Sequence, residues 1–179
     1  MENPDQEFYN LSPGGRLMPQ EEMLEVAKQP GQLIVGVPRE VSAQENRVAL
    51  VPDGVALLTR SGHQVLIEAG AGVTAHFSDH EYSESGARLV YSPEEVFKAD
   101  ILLKVAPVTR EEMSLLRPRQ TLMSALQMSL QCEDYFKMLM TRKVTALAYE
   151  TIRDRTKQLP IIRAMSEIAG STCIFIAAE

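Results

Sequence analysis

The sequence predicts an α/β domain with a mostly parallel sheet and helices on both of its faces. Two observations support this prediction. Short apolar runs suited to buried strands recur along the chain, and segments with helical capping signals fall between them. The runs are LIVGVP, HQVLIEA, DILLKV, QTLMSAL and KVTALAY, with ARLVY as a weaker one. Strands that alternate with helices are joined by crossovers, which favour parallel pairing.

The predicted helices are bounded by residues that commonly start or stop helices. PDGVALLTRSG opens at Pro52 and closes at Gly62, since proline suits the first helical position and glycine the end. SPEEVFKA and TREEMSLL each have the spacing of a capping box, in which an N-cap hydroxyl and a carboxylate three residues later bond each other's backbone. The two pairs are Ser92 with Glu95 and Thr109 with Glu112.

Two further helices are predicted towards the end of the chain. CEDYFKMLMTRK places Tyr135, Phe136, Leu139 and Met140 on one helical face. PIIRAMSEIAGSTCIFIAAE begins at Pro160 and ends in apolar residues without a C-terminal cap. An apolar helix end would lie in water, so we expect the natural polypeptide to continue. The alternative is a terminal helix buried in a dimer interface.

Residues 1–32 are rich in Pro, Gly and acidic side chains, and they predict an extension outside the sheet. One short helix is expected there, in PQEEMLEVAKQP. The α/β domain is predicted to span residues 33–159, and residues 160–179 form a separate helical segment.

The composition excludes several classes of protein. A net charge of -6 argues against nucleic acid or an anionic membrane surface as the main partner. No run of 18 apolar residues suggests a membrane span, and the acidic MENPDQEF lacks the apolar region of a secretory signal. Cys132 and Cys173 lie far apart, which favours two reduced thiols in a cytoplasmic protein.

The segment GAGVTA, with Gly70, Gly72 and Ala75, matches the glycine spacing of a dinucleotide-binding loop. We interpret it as a plain turn instead. The following HFSDHEYSESG has no apolar helical face and is predicted to be a polar surface loop, and Glu68 lies where a pyrophosphate would approach. His76 and His80 are four residues apart, but no third ligand is evident, so no metal site is predicted.

Three polar residues lie at or near the ends of predicted strands, where parallel sheets bind ligands. Arg47 carries a guanidinium that can bind a carboxylate through two parallel bonds, or it pairs on the surface with Glu45 or Glu40. Lys104 follows DILL and can polarise a carbonyl, or it extends into water. Gln127 can orient a ligand but cannot exchange a proton near neutral pH, and it is otherwise a capping or turn amide.

At these residues the sequence resembles a known family. GVPREVSAQENRVALVPDGVALLTRSGHQVLIEAGAG resembles the opening of alanine dehydrogenases and of the alpha subunit of proton-translocating transhydrogenases. ADILLKVAPV, VTALAYETI and LPIIRAMSEIAG resemble later blocks of the same family, and the last two are closer to alanine dehydrogenases. The resemblance runs from about Leu33 to Glu179. It implies a Rossmann-like or flavodoxin-like substrate-binding domain, followed by a separate NAD-binding domain that this chain lacks, so residues 160–179 would begin a truncated interdomain helix.

The resemblance also implies roles for individual residues. Arg47, in ENRVA, would bind the substrate carboxylate, and Lys104, in LLKV, would contact the keto or amino acid. Ser166, in MSEIAG, would touch the nicotinamide cofactor, unless its hydroxyl bonds back to its own helix. Gln127 departs from the family, because alanine dehydrogenases carry a catalytic histidine there. Proton transfer would then fall to Lys104 or to an acid outside this chain, or the reaction differs from that of alanine dehydrogenases.

The leading hypothesis is therefore the substrate domain of an NAD-dependent alanine dehydrogenase that interconverts L-alanine and pyruvate. Two alternatives remain: a transhydrogenase alpha-subunit component, working with a membrane partner, and a non-catalytic binding or oligomerisation module. The family suggests a homo-oligomer that binds a small carboxylate. Because NAD would be held mainly by the absent domain, we expect this chain alone to be inactive and to bind NAD negligibly.

Overall fold

The computed structural model describes residues 31–42 and 44–178. The helix predicted within residues 1–32 lies outside these described residues. The described part forms an α/β fold, and the predicted fold class is confirmed.

Each predicted apolar run forms a strand, and most of the predicted helices lie between them. The strands are β1 (Ile34–Val37), β2 (Gln64–Glu68), β3 (Arg88–Val90), β4 (Ile101–Leu103), β5 (Thr121–Ser124) and β6 (Thr145–Ala148). The α-helices of the described chain are α1 (Pro52–Arg60), α2 (Asp79–Glu84), α3 (Pro93–Val96), α4 (Arg110–Leu115), α5 (Glu133–Thr141) and α6 (Pro160–Ala177). Short 3-10 turns span Val73–Ala75 and Tyr149–Thr151.

All the strands pair in parallel, in the order β3-β2-β1-β4-β5-β6. This is the strand order of a Rossmann-type sheet. The chain moves outwards from β1 to β3 and then returns to place β4 on the other side of β1. The loops that leave β1 and β4 therefore diverge, which opens a crevice at the carboxyl ends of these two strands.

Helices cover both faces of the sheet. Successive side chains of a strand point to opposite faces, so one strand contributes to a buried cluster on each side. In β2, Val65 and Ile67 belong to one buried apolar cluster and Leu66 to the other. The first cluster includes Val55 of α1, and the second includes Tyr135 of α5. A strand buried on both faces carries the continuous apolar run seen in the sequence.

Three local predictions are wrong in detail. Ser92 is the N-cap of α3 but makes no side-chain capping bond, whereas the Thr109 box of α4 forms in full. The segment predicted as a polar loop after GAGVTA contains α2, which begins with a capping box between Ser78 and Glu81. Met140 is 72% exposed, so the buried face of α5 is narrower than its apolar pattern indicates.

The GAGVTA segment is a turn and not the start of a long helix. Gly70 has a φ of 79°, and the chain then forms the 3-10 turn before α2. Gly72 is required by packing: a Cβ there would lie 2.5 Å from the ring of Tyr82 and 2.8 Å from the carbonyl oxygen of Phe77. These glycines are explained by turn geometry and close packing.

The helix α6 begins at Pro160, as predicted, and none of its residues is fully buried. By length and composition alone it could cross a membrane. That is weak support for a span, since apolar helices of soluble proteins often meet the same criteria.

Candidate functional site

A pocket of about 280 Å³ lies at the carboxyl ends of β4 and β5, beside the crevice opened by the strand order. Its walls come from the loop after β1, from the ends of these strands, from the 3-10 turn after β6 and from α6. The lining residues are Arg47, Val48, Ala49, Leu103, Lys104, Val105, Met123, Tyr149, Ile161 and Met165. Two cations and one phenol thus meet in a largely apolar pocket.

Lys104 lies directly after β4 and is buried. Its side chain has no exposed surface, so the alternative of a lysine extending into water is wrong. The Nζ atom lies 2.8 Å from Oε1 of Glu112 and 3.1 Å from Oε2 of Glu40. The contact with Glu112 is a hydrogen bond, whereas Glu40 Oε2 lies at ion-pair distance without accepting one. An ammonium has three N–H donors, so at least one donor remains for a further partner.

The two carboxylates beside Lys104 are fixed by backbone donors. Glu40 Oε1 accepts a hydrogen bond of 2.6 Å from the backbone N–H of Val105. Glu112 Oε2 accepts one of 2.8 Å from the backbone N–H of Thr109, as part of the capping box of α4. Lys104 is therefore held between the loop after β1 and the start of α4.

Arg47 lies at the pocket edge with its side chain 52% exposed. Its Nε donates to Oε1 of Glu45 at 2.7 Å, and its Nη2 donates to Oε2 of the same residue at 2.6 Å. These hydrogen bonds hold the pKa of Glu45 below its usual range and raise the pKa of Arg47. The pairing considered from sequence is thus realised with Glu45.

Several contacts shape the loop after β1 that carries Arg47. The backbone N–H of Arg39 donates to Glu68 Oε2 at 3.0 Å, and Tyr82 donates its hydroxyl to the carbonyl of Leu50 at 2.8 Å. Glu68, whose negative charge is unfavourable for a pyrophosphate at GAGVTA, therefore anchors the start of this loop.

Tyr149 completes the polar part of the pocket. Its hydroxyl donates to the carbonyl of Val105 at 2.8 Å. Burial raises the pKa of Tyr149, although the positive charge of Arg47 acts in the opposite direction. The phenol therefore stays protonated at neutral pH, and because its one O–H donates to Val105, its oxygen remains as a hydrogen-bond acceptor.

The charges around the pocket do not cancel. Arg47 and Lys104 supply two positive charges, while Glu40, Glu45 and Glu112 supply three negative ones, so the group carries a formal charge of two minus three, or -1. An anionic ligand is therefore attracted only by those N–H donors that the carboxylates leave free.

The family model described as "Alanine dehydrogenase/PNT, N-terminal domain" matches residues 36–169, which run from within β1 into α6. The chain belongs to the alanine dehydrogenase/PNT family. The resemblance inferred from the sequence motifs is confirmed.

Individual members of the alanine dehydrogenase/PNT family match over most of this chain. Alanine dehydrogenase of Bacillus subtilis is 37% identical over 147 residues, covering 82% of this chain and 38% of that protein. Alanine dehydrogenase of Mycolicibacterium smegmatis is 40% identical over 141 residues, covering 77% of this chain and 37% of that protein. The chain thus spans less than two fifths of the length of these curated relatives.

Solved structures of the alanine dehydrogenase/PNT family share the fold. An L-alanine dehydrogenase aligns with a TM-score of 0.74 at 36% identity, covering 77% of this chain and 38% of that one. A transhydrogenase from Sinorhizobium meliloti aligns with a TM-score of 0.64 at 28% identity, covering 69% of this chain and 35% of that one.

The structure brings together two of the four residues predicted for a site of the alanine dehydrogenase/PNT family. Arg47 and Lys104 line the same pocket. Gln127 is exposed and outside its lining, at a φ of 47°. Ser166 is exposed on α6, next to Met165, which does line the pocket.

The turn that carries Gln127 is held by a carboxylate. Glu150 Oε1 accepts hydrogen bonds of 2.9 Å from the backbone N–H groups of both Leu126 and Gln127. The backbone at position 127 is therefore fixed from the end of β6, while the amide side chain lies at the surface.

Three residues in or beside this pocket were not predicted as site residues. Glu112 was recognised only as a capping residue, and Glu40 only as a possible partner of Arg47. Tyr149 was placed at the end of a strand without a role. The capping box was the one available signal, because it brings an acid to the start of α4 beside the end of β4.

Proposed function

We propose that this chain is the substrate-binding domain of an NAD-dependent, alanine dehydrogenase-like oxidoreductase. The reaction would be the reversible oxidative deamination of L-alanine to pyruvate. One observation carries the proposal: Arg47 and Lys104 come from distant parts of the sequence but line a single pocket at the carboxyl end of the sheet. The similarity to alanine dehydrogenases supports the substrate class.

The pocket residues suit a small keto or amino acid. Arg47 would bind the substrate carboxylate, since a guanidinium can donate two parallel hydrogen bonds to it. Lys104 would use its remaining N–H to polarise the substrate carbonyl. Because the side chain of Lys104 has no exposed surface, binding requires a small displacement of the side chains that cover it. The apolar lining would surround the short side chain of the substrate.

NAD would be held mainly by a domain beyond the described residues. When bound, it would accept or donate the hydride. We do not assign a dinucleotide loop among the described residues, because GAGVTA itself ends in a 3-10 turn and is followed by only the six-residue helix α2. Ser166 is the residue of this chain that we propose contacts the cofactor. Its exposure on α6, beside pocket-lining Met165, supports that role.

Proton transfer cannot be assigned to Gln127. An amide neither releases nor takes up a proton near neutral pH. Its exposure outside the pocket lining supports a turn position more than a catalytic one. We propose that Lys104, or an acid on the cofactor-binding domain, handles the proton.

The test is steady-state kinetics of the whole enzyme that contains this chain, with pyruvate, ammonia and NADH. Arg47→Ala should raise the KM for pyruvate by about tenfold or more, because a charge-assisted pair contributes about 1.5–3 kcal/mol. An absence of turnover in the unchanged enzyme, or a KM indifferent to Arg47→Ala, would refute the proposal.

A second candidate is a transhydrogenase alpha-subunit component. The structural similarity to the Sinorhizobium meliloti transhydrogenase favours it. So does Gln127, because hydride exchange between two nucleotides needs no group to protonate a keto acid. Hydride transfer from NADH to an NADP analogue, without turnover of pyruvate, would distinguish it. For either function we propose a homo-oligomer, and a cytoplasmic location for the part described here.

A further inference from the structure

The Glu45 side chain makes an unusually complete contact with a single residue. It is only 13% exposed, although its partner Arg47 is 52% exposed. Its Oε1 accepts from the backbone N–H of Arg47 at 3.1 Å and from Nε at 2.7 Å, and its Oε2 accepts from Nη2 at 2.6 Å. One carboxylate thus fixes both the backbone and the side chain of the same arginine.

The geometry leaves a defined part of the guanidinium available. A guanidinium has five N–H donors, and the contacts with Glu45 use the one on Nε and one on Nη2. The other donors are on Nη1 and on the outer side of Nη2, an edge that can bind a second carboxylate through two parallel bonds. Arg47 lines the pocket, and Glu45 is not among the lining residues. Glu45 therefore does not occupy the place of a ligand.

Holding the arginine in advance favours ligand binding. A long, half-exposed side chain otherwise samples many rotamers, and a ligand that binds it must restrict them. The backbone of Glu45 is also held, since its N–H donates to the carbonyl of Ser42 at 3.0 Å. The lowered pKa of Glu45 keeps this pair ionised at neutral pH.

We propose that Glu45 is a positioning residue, which holds the guanidinium of Arg47 so that its outer edge faces a carboxylate in the pocket. This inference rests on the proposed role of Arg47 in substrate binding. It predicts that removing Glu45 weakens anion binding, although it also removes a nearby negative charge. A simple electrostatic effect would have the opposite sign, because neutralising an anion strengthens the binding of another anion.

The test is a titration of the full 179-residue chain with pyruvate, followed by NMR. The side-chain Nε–H resonance of Arg47 reports directly on its hydrogen bonding. Glu45→Ala should weaken pyruvate binding roughly two- to fivefold, the upper part of the range for one exposed ion pair. The pyruvate affinity of Glu45→Gln should lie between those of the unchanged chain and of Glu45→Ala, since an amide oxygen can still accept from the backbone N–H and from Nε. The Nε–H resonance should shift in both variants.

Glu133→Gln is the matched control. It removes the same charge from an exposed pair with Lys137 on α5, and it should leave pyruvate binding unchanged. Arg47→Ala separates the two proposals. If it binds pyruvate as the unchanged chain does, the proposed function fails. If it loses binding while Glu45→Ala and Glu45→Gln bind as tightly as the unchanged chain, or more tightly, only the positioning inference fails. No pyruvate binding by the unchanged chain would overturn both.

Discussion

Replacing Lys104 with methionine tests whether one cation holds two buried carboxylates together. Methionine has a similar length and an apolar character, so the change removes the charge with little loss of packing. The carboxylates of Glu40 and Glu112 both contact the same Nζ atom. They consequently lie at most roughly 6 Å apart, and without the cation their charges repel each other.

The expected loss of stability can be worked from this separation. At about 6 Å and an effective dielectric constant of about 20, two unit charges repel by about 3 kcal/mol. Breaking a buried ion pair by removing one partner typically costs about 3–5 kcal/mol. Lys104→Met should therefore lower the free energy of unfolding by about 3–5 kcal/mol. For a chain of this length, that lowers Tm by roughly 6–20 °C.

The assay is urea unfolding followed by circular dichroism, with Glu112→Gln as the second change. In the single variant, Glu112→Gln leaves Lys104 paired with Glu40 and should be mild. In the double variant, the amide removes one of the repelling charges, and it can donate to Glu40 while accepting from the backbone of Thr109. The double variant should regain about 2–3 kcal/mol relative to Lys104→Met. Lys98→Met, at an exposed position, should change stability by less than about 0.5 kcal/mol.

Two results would refute this reasoning. A Lys104→Met variant as stable as the unchanged chain would mean that the pairs contribute nothing in solution. A double variant no more stable than Lys104→Met would mean that the loss comes from packing and not from charge repulsion.

Three other predictions concern local structure and the cofactor. Thr109→Ala should destabilise the chain by about 1 kcal/mol, because it removes a formed cap, whereas Ser92→Ala should be nearly neutral in the same urea assay. Gly72→Ala should cost about 1–3 kcal/mol, since its Cβ would overlap Tyr82. Gly170→Ala should be neutral or slightly stabilising, because nothing lies within 4 Å of its Cβ position and alanine favours helix. Calorimetry should detect negligible NAD binding to this chain, and micromolar affinity would contradict the assignment of GAGVTA as a turn.

Most of the sheet was predictable because strands buried on both faces have a simple signature. The runs LIVGVP, HQVLIEA and DILLKV form β1, β2 and β4. The helix α2 was missed because only Tyr82 of its six residues is buried, so it shows no apolar periodicity. Its capping box at Ser78 was the available signal. Ser92 shows the converse, since the spacing of a capping box does not ensure that the bond forms.

The candidate site was predictable in position but only in part in its pairing. Placing Arg47 and Lys104 at or near the ends of strands required only the rule that parallel sheets bind ligands there. Glu45 was one of the two acids considered as a partner of Arg47, two residues away. The partners of Lys104 could not be derived from the sequence, because a buried lysine accepts any carboxylate that the fold brings near. Gln127 shows the same limit: its place in a motif gave no indication that its side chain lies outside the pocket.

Local sequence patterns were enough to indicate the order of the strands and of most helices, the helix starts at Pro52 and Pro160, the N-cap at Thr109, and the family. These depend on local periodicity, on backbone geometry at a few residues, and on motifs that can be compared directly. The acids that contact Lys104, in contrast, became known from the three-dimensional fold. The backbone N–H of Val105 and the carboxylate of Glu40 are 65 positions apart, and they meet because β1 and β4 pair at the centre of the sheet. Strand pairing of this kind depends on the whole fold, so no local pattern encodes it.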